Sequence, residues 1–233
     1  MPFYYYGFDP TYFLVLIGVV LSLLASSRVK STYAKYSKEL NLSGMTGAQA
    51  AERILSMSGI YDVKVQHVSG SLTDHYDPRN KTLNLSDAVY GSTSVAAVGV
   101  AAHECGHAIQ HDRGYWPLKL RSTLVPVVNI GAKISWPLIL IGLLLGGNGI
   151  LIELGILMFS FAVAFQLITL PVEYNASNRA LNLLSETGIL YGEEIPKTKK
   201  VLNAAALTYV AAAASSILQL LRLVLLFGNR RRD

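Results

Sequence analysis

The sequence is poor in charged residues and has almost no cysteine. Charged side chains make up 15% of its 233 residues and apolar side chains 52%, whereas an ordinary soluble domain is about 25% charged. This balance argues against a soluble domain and favours a chain that crosses a membrane several times. The single cysteine, Cys105, excludes an intramolecular disulfide framework. The absence of an internal repeat excludes a repeat architecture.

The net charge of +5 does not indicate a nucleic-acid partner, because the basic residues lie beside apolar segments, where they act as topology signals.

The first apolar segment, residues 12–25, has no lysine or arginine before it, unlike a signal peptide. The alternative is that this segment is a signal peptide that is cleaved after "LASS". We interpret residues 1–27 as a transmembrane helix with its N-terminus outside. Its outer aromatic belt is Tyr4, Tyr5, Tyr6 and Tyr12, and the cytoplasmic cations that follow are Arg28, Lys30, Lys35 and Lys38.

Residues 28–122 are polar enough to form a cytoplasmic lobe. Helical periodicity predicts an amphipathic helix that ends at Gly59 and has one apolar face, formed by Ala50, Ile54, Leu55 and Met57. Alternation predicts a strand in "YDVKVQHV" and two short extended pieces in "LTDHYDPRNKTLNLS", joined by a turn at Asp77-Pro78. After Ser94 the pattern is helical and apolar, but the uncharged stretch between Ser94 and His103 is too short to cross a bilayer. The predicted fold class is therefore α+β, a mainly helical, multi-pass membrane protein with a small sheet in its lobe.

Two later apolar stretches, residues 124–145 and 150–170, are long enough to span a membrane. We expect residues 123–170 to form a transmembrane hairpin that returns the chain to the cytoplasmic side. Pro171 suits the first turn of a helix, so residues 171–200 are interpreted as a new helix and a loop. Residues 201–233 form an apolar helix, interpreted as a fourth span, and a basic C-terminus. If this helix spans the membrane, the basic run "RRR" lies outside, against the preference of basic residues for the cytoplasmic side. The alternative is therefore a helix that lies in the membrane interface or packs partly into the lobe.

The string "HECGH", which begins at His103, has the H-E-x-x-H pattern of a catalytic zinc site. Residues four apart share a helix face, so His103 and His107 can bind one ion. Glu104 can take a proton from a zinc-activated water. Cys105 points away from that face and is interpreted as a core residue. Gly106 costs about 1 kcal/mol relative to alanine in a helix, which indicates close approach of another helix or of substrate.

Catalytic zinc usually has three protein ligands, so a third donor is needed. His111 lies about 12 Å along the helix from His103, too far for one ion, and is assigned to supporting or substrate-side contacts. Glu173 is the better candidate because it shares a helix face with packing residues and would need a partner there. The alternative is that Glu173 is favoured only by the helix dipole.

The chain resembles the membrane-embedded gluzincin metalloproteases of the HtpX and CAAX prenyl protease group. It is more similar still to the neutral zinc metallopeptidases of the YugP type, through "LTDHYDP", "VAAHECGHAIQ", "EYNASNRAL" and "AAALTYVAAA". The resemblance implies a gluzincin-like lobe with zinc held by His103, His107 and Glu173, and Glu104 as general base. The HtpX group has an aspartate where this chain has Ser177. A neutral oxygen there would raise the basicity of a zinc histidine less than a carboxylate does.

The resemblance also implies that a peptide substrate adds as a strand to the edge of a sheet. The segment "NKTLNLS" is the candidate for that edge, and the alternative is that it forms an ordinary hairpin strand. Candidates for an oxyanion donor are His75, Tyr76, Asn178, Arg179 and Tyr209. The expected function is a zinc endopeptidase in the cell membrane, with its active site on the cytoplasmic side and membrane or membrane-proximal proteins as substrates. An inactive metal-binding scaffold is the alternative. Oligomeric state and protein partners do not follow from the sequence.

Overall fold

The structure, a computed structural model, describes residues 9–228. The predicted belt positions Tyr4, Tyr5 and Tyr6 and the basic run at 230–232 lie outside this part. Within it, six helices and three short strands follow one another along the chain: α1 (Tyr12–Tyr36), α2 (Gly47–Met57), β1 (Lys64–Val68), β2 (His75–Asp77), β3 (Thr82–Ser86), α3 (Val95–Asp112), α4 (Trp116–Leu144), α5 (Gly149–Glu186) and α6 (Glu194–Phe227). The mainly helical fold with a small sheet agrees with the predicted class.

Four of these helices, α1, α4, α5 and α6, are long and apolar enough to cross a membrane. The described chain divides into two compact units. A four-helix unit contains residues 9–24, 124–167 and 210–228, and an α/β unit contains residues 25–123 and 168–209. The four long helices contribute to both units, whereas α2, α3 and the sheet belong to the α/β unit alone.

The sheet of the α/β unit has the strand order β1-β3-β2, with β1 parallel and β2 antiparallel to β3. Strand β3 is therefore central, and its residues Leu83 and Leu85 are fully buried. The expectation that "NKTLNLS" forms a free edge is wrong, because both sides of β3 are paired. A period-2 pattern of leucines does not distinguish a central strand from an edge. The strands β1 and β2 form the two edges instead.

Helices α2 and α3 pack against this sheet. A capping box formed by Thr46 and Gln49 starts α2, and its residues Ala50, Ile54 and Leu55 are buried as predicted. Met57 is 59% exposed, so its assignment to the buried face is wrong. It is the last residue of the helix, where the chain turns away through Gly59. Ser94 caps α3 as its side chain accepts a hydrogen bond from the Ala97 amide.

A short turn joins α4 to α5. Gly146 and Gly147 turn the chain with φ values of +75° and +85°, a conformation that glycine adopts without steric cost. The side chain of Asn148 then accepts a hydrogen bond from the Leu151 amide and caps α5. Contrary to the prediction, α5 continues through Pro171 and ends only at Glu186, with a total length of 38 residues. Proline removes one backbone hydrogen bond inside the helix, but the helix does not end there.

Helices α1 and α6 pack closely and run antiparallel within the four-helix unit. The Ser215 hydroxyl donates to the Gly18 carbonyl at 2.9 Å. The guanidinium of Arg222 pairs with Asp9 at 3.4 Å and lies 4.2 Å from the centre of the Tyr12 ring. Arg222, the one charge inside the predicted fourth span, is therefore neutralised by Asp9, three residues before α1.

Candidate metal centre

Helix α3 brings the two histidines of the H-E-x-x-H pattern together. The rings of His103 and His107 lie one turn apart with their centres 4.8 Å from each other. Their side chains are 15% and 12% exposed, so both open only narrowly to solvent. Burial opposes charging of His107, but the carboxylates of Glu173 and Glu104 outweigh it and raise the pKa of this histidine.

Helix α5 supplies Glu173 to the same place. A Cβ atom on Gly106 would lie 2.5 Å from the carbonyl oxygen of Ala176, so the backbones of α3 and α5 touch at this glycine. The close approach predicted from Gly106 is thus made by a helix of the chain itself. Because Glu173 lies one turn before Ala176 on α5, this contact places its carboxylate beside the two histidines.

The carboxylate and the imidazoles fit a metal ion. Oxygen Oε2 of Glu173 lies 3.3 Å from Nε2 of His103 and 3.6 Å from Nε2 of His107. These separations match the edge of a tetrahedron, about 3.4 Å for zinc–ligand distances near 2.0–2.1 Å. Glu173 is 2% exposed, and its Oε2 has no hydrogen-bond partner among the described residues. A buried carboxylate oxygen without a partner is costly, and two histidines with one carboxylate are a donor set of catalytic zinc.

The far nitrogen of His107 is held by Gln110, which is fully buried. The Gln110 amide nitrogen donates to the backbone carbonyl of Val172 at 2.9 Å and to Oδ1 of Asn175. Its carbonyl oxygen therefore faces Nδ1 of His107, at 3.0 Å, and accepts a hydrogen bond from the N–H at that position. This hydrogen bond leaves the lone pair of His107 on Nε2, toward Glu173. Gln110 also ties α3 to α5 beside the site.

The other two candidate ligands are held in the same way. Nδ1 of His103 lies 3.1 Å from the hydroxyl of Ser177. Nη1 of Arg121, near the start of α4, donates to Oε1 of Glu173 at 2.9 Å. The Arg121 contact occupies the carboxylate oxygen that does not face the histidines. Every candidate ligand thus has a hydrogen-bond partner on its outer side.

Glu104 is also buried, at 8% exposure. Its Oε2 accepts a hydrogen bond of 3.0 Å from the backbone amide of Tyr76, on the edge strand β2. The Tyr76 hydroxyl in turn lies 2.8 Å from Nδ1 of His111. Burial, together with nearby aspartates, raises the pKa of Tyr76 to about 12, so this hydroxyl stays protonated. His111 belongs to this contact and lies outside the group of three candidate ligands.

A cavity of about 150 Å³ opens beside two of the candidate ligands, His103 and Glu173, which are among its lining residues. Its wall contains Glu104, Ser177 and Asp74, and its apolar part comes mainly from α6. Tyr209 of α6 lines it as well. Tyr209 is thus the one oxyanion candidate from the sequence whose side chain lines this cavity.

The remaining predicted site residues lie elsewhere. His75 bonds the Thr73 carbonyl and Asn84, Asn178 is exposed, and Arg179 donates to Asn175 at 2.8 Å. Cys105 is fully buried, and its Sγ lies 3.6 Å from the Ala51 carbonyl. Burial raises the pKa of this thiol well above its usual range, so it is an inert core residue, as predicted.

Two residues with direct contacts to the candidate ligands were not predicted. Gln110 follows His107 by three positions on one helix, a spacing that sequence reasoning could have used. Arg121 has no such signal, because it reaches Glu173 across 52 positions of sequence.

Together, the H-E-x-x-H helix, the third acidic donor and four candidate spans define a membrane-bound zinc peptidase class. Residues 11–228 match the family model described as "Putative neutral zinc metallopeptidase". The chain is 50% identical over 221 residues to the "Putative membrane protease YugP" of Bacillus subtilis (strain 168), covering 95% of this chain and 98% of that protein. No solved structure matches. The chain belongs to this family of zinc metallopeptidases, and zinc is the metal that its candidate centre implies.

Proposed function

We propose that this protein is a gluzincin-like endopeptidase that cleaves membrane or membrane-proximal proteins, with zinc bound by His103, His107 and Glu173. The observation that carries the proposal is the buried Oε2 of Glu173, which faces both histidine Nε2 atoms and lacks a hydrogen-bond partner. Zinc bound at these atoms supplies Lewis acidity, which lowers the pKa of a water to about 7 and polarises a peptide carbonyl.

Glu104 is the general base in this proposal. Its carboxylate lies in the wall of the cavity, next to His103, where it takes a proton from the attacking water and delivers it to the leaving amine. The Tyr76 amide fixes the orientation of Glu104 by its hydrogen bond to Oε2. The Tyr209 hydroxyl is the proposed donor to the oxyanion, because its side chain lines the same cavity.

The substrate backbone is proposed to extend along β2, the edge strand whose Tyr76 amide contacts Glu104. An added strand would obtain main-chain hydrogen bonds there, next to the general base. The apolar wall of the cavity, which includes Val100, Leu202, Ala205 and Ala206, suits an apolar side chain next to the scissile bond. Substrates of this kind are abundant where membrane segments meet their flanking loops.

The active site is proposed to face the cytoplasm. The cations that follow the first apolar segment support this orientation, and the apolar parts of two candidate spans, α4 and α5, lie between His107 and Glu173 along the chain. An even number of crossings returns the third ligand to the side of the first two.

The decisive experiment measures zinc content and cleavage of a denatured casein substrate by the purified full-length protein. We expect Glu104→Gln to retain one zinc and to lose about 10²- to 10⁴-fold in cleavage rate, because only the proton transfer is removed. Glu173→Gln is expected to lose zinc, whereas the control His111→Gln keeps it. Zinc retention by Glu173→Gln and loss by His111→Gln would contradict the ligand assignment. Zinc without cleavage in the wild type would instead support the inactive scaffold.

A further inference from the structure

A groove separate from the metal centre opens in the α/β unit, with a volume of about 380 Å³. Three helices line it, α1 through Arg28, α5 through Tyr174, and α6 through Lys200 and Asn203. Ala204 and Leu207 complete its lining. Polar donors from all three helices thus converge on one opening.

The polar lining of the groove has hydrogen-bond donors in excess and carries positive charge without a carboxylate. Arg28 and Lys200 are both exposed, and neither forms an ion pair with any of residues 9–228. Two cations that face one opening repel each other unless an anion lies between them. The groove therefore suits an anionic group with several acceptor oxygens.

The positions of these residues in the sequence place the groove at the boundary between apolar and polar segments. Arg28 follows the apolar run 12–25 of α1, and Tyr174 follows the apolar run 150–170 of α5. Lys200 comes directly before the apolar run of α6. Each helix therefore changes from apolar to polar at this level, where the phosphates of a bilayer leaflet lie.

We propose that this groove binds a phosphate ester, namely the headgroup phosphate of an anionic phospholipid. The planar guanidinium of Arg28 can offer two parallel hydrogen bonds to phosphate oxygens, and the Lys200 ammonium adds a second charge. The Tyr174 hydroxyl and the Asn203 amide can donate to the remaining oxygens, while Leu207 contacts the start of an acyl chain. Basic recesses between membrane helices are a known form of headgroup site.

The test titrates full-length protein in dodecyl maltoside with short-chain phosphatidylglycerol and follows the midpoint of thermal unfolding. Phosphatidylcholine and inorganic phosphate are titrated in parallel. The double variant Arg28→Gln/Lys200→Gln removes the proposed site. Its matched control, Lys30→Gln/Lys199→Gln, removes two neighbouring charges on the same two helices that do not line the groove.

We expect phosphatidylglycerol to stabilise the wild type and the control variant alike, and to bind the Arg28/Lys200 variant at least tenfold more weakly. An equal loss in both variants would overturn the proposal, since general charge would then explain binding. If inorganic phosphate stabilises the wild type as strongly as the lipid at equal concentration, the phosphate site stands and its assignment to lipid is wrong. The measurement uses neither zinc nor cleavage, so its outcome is independent of the proposed function.

Discussion

Nη1 of Arg121 donates a 2.9 Å hydrogen bond to Oε1 of Glu173, while Oε2 of the same carboxylate faces the two histidines. The arginine therefore separates the roles of the two oxygens. One oxygen is neutralised and oriented by the guanidinium, and the other is directed toward the candidate metal position. A carboxylate held in this way is prepared to bind an ion through a single oxygen.

Replacing Arg121 should weaken zinc binding without removing a ligand. We expect Arg121→Gln to lower zinc affinity about 10- to 100-fold, the usual cost of losing a partner of a metal ligand. Competition with a chromogenic chelator measures this affinity directly. Arg79→Gln is the control, because the Arg79 side chain is 90% exposed and lies outside the metal centre. Equal zinc affinities in the two variants would show that Arg121 does not orient Glu173.

Substitutions of Ser177 should be able both to lower and to raise zinc affinity. Its hydroxyl contacts Nδ1 of His103 at 3.1 Å, where an aspartate would make the imidazole a stronger ligand. We expect Ser177→Ala to lower zinc affinity and Ser177→Asp to raise it, each by about tenfold. The chelator competition used for Arg121 applies here too. A lower affinity in Ser177→Asp than in Ser177→Ala would contradict this role of the hydroxyl.

The contact between Gly106 and Ala176 should be intolerant of a single methyl group. In Gly106→Ala the new Cβ would lie 2.5 Å from the Ala176 carbonyl oxygen, which forces α3 and α5 apart. We expect a loss of about 1–3 kcal/mol in the free energy of unfolding, together with weaker zinc binding. Gly91→Ala is the control, since a Cβ there meets no atom within 4 Å. A similar unfolding midpoint and zinc content in both variants would argue against a tight contact.

The local part of the candidate site could be predicted from the sequence, because a helix fixes the spacing of its own residues. His103, Glu104 and His107 lie on α3 as the H-E-x-x-H pattern indicates, and Cys105 points into the core. Arg121 could not be predicted, since its contact with Glu173 depends on how α4 and α5 pack. Sequence periodicity contains no information about such long-range contacts.

Two errors have the same physical origin. The sequence predicts β3 as an edge strand, but a parallel pairing with β1 places it at the centre of the sheet. It also predicts a helix start at Pro171, yet α5 continues through this residue. Local preferences favour an edge or a break at these positions, and tertiary packing outweighs them.

The proposed cytoplasmic location of the active site can be tested by cysteine labelling, because the native Cys105 is fully buried and should not react. Glu52→Cys places an exposed thiol in the α/β unit, and Gly149→Cys places one at the first residue of α5, directly after the turn from α4. With a membrane-impermeant maleimide we expect Gly149→Cys to be labelled in intact cells and Glu52→Cys only after lysis. The wild type should remain unlabelled in both conditions. The reverse pattern would place the metal centre outside the cell and overturn the orientation drawn from the basic residues after α1.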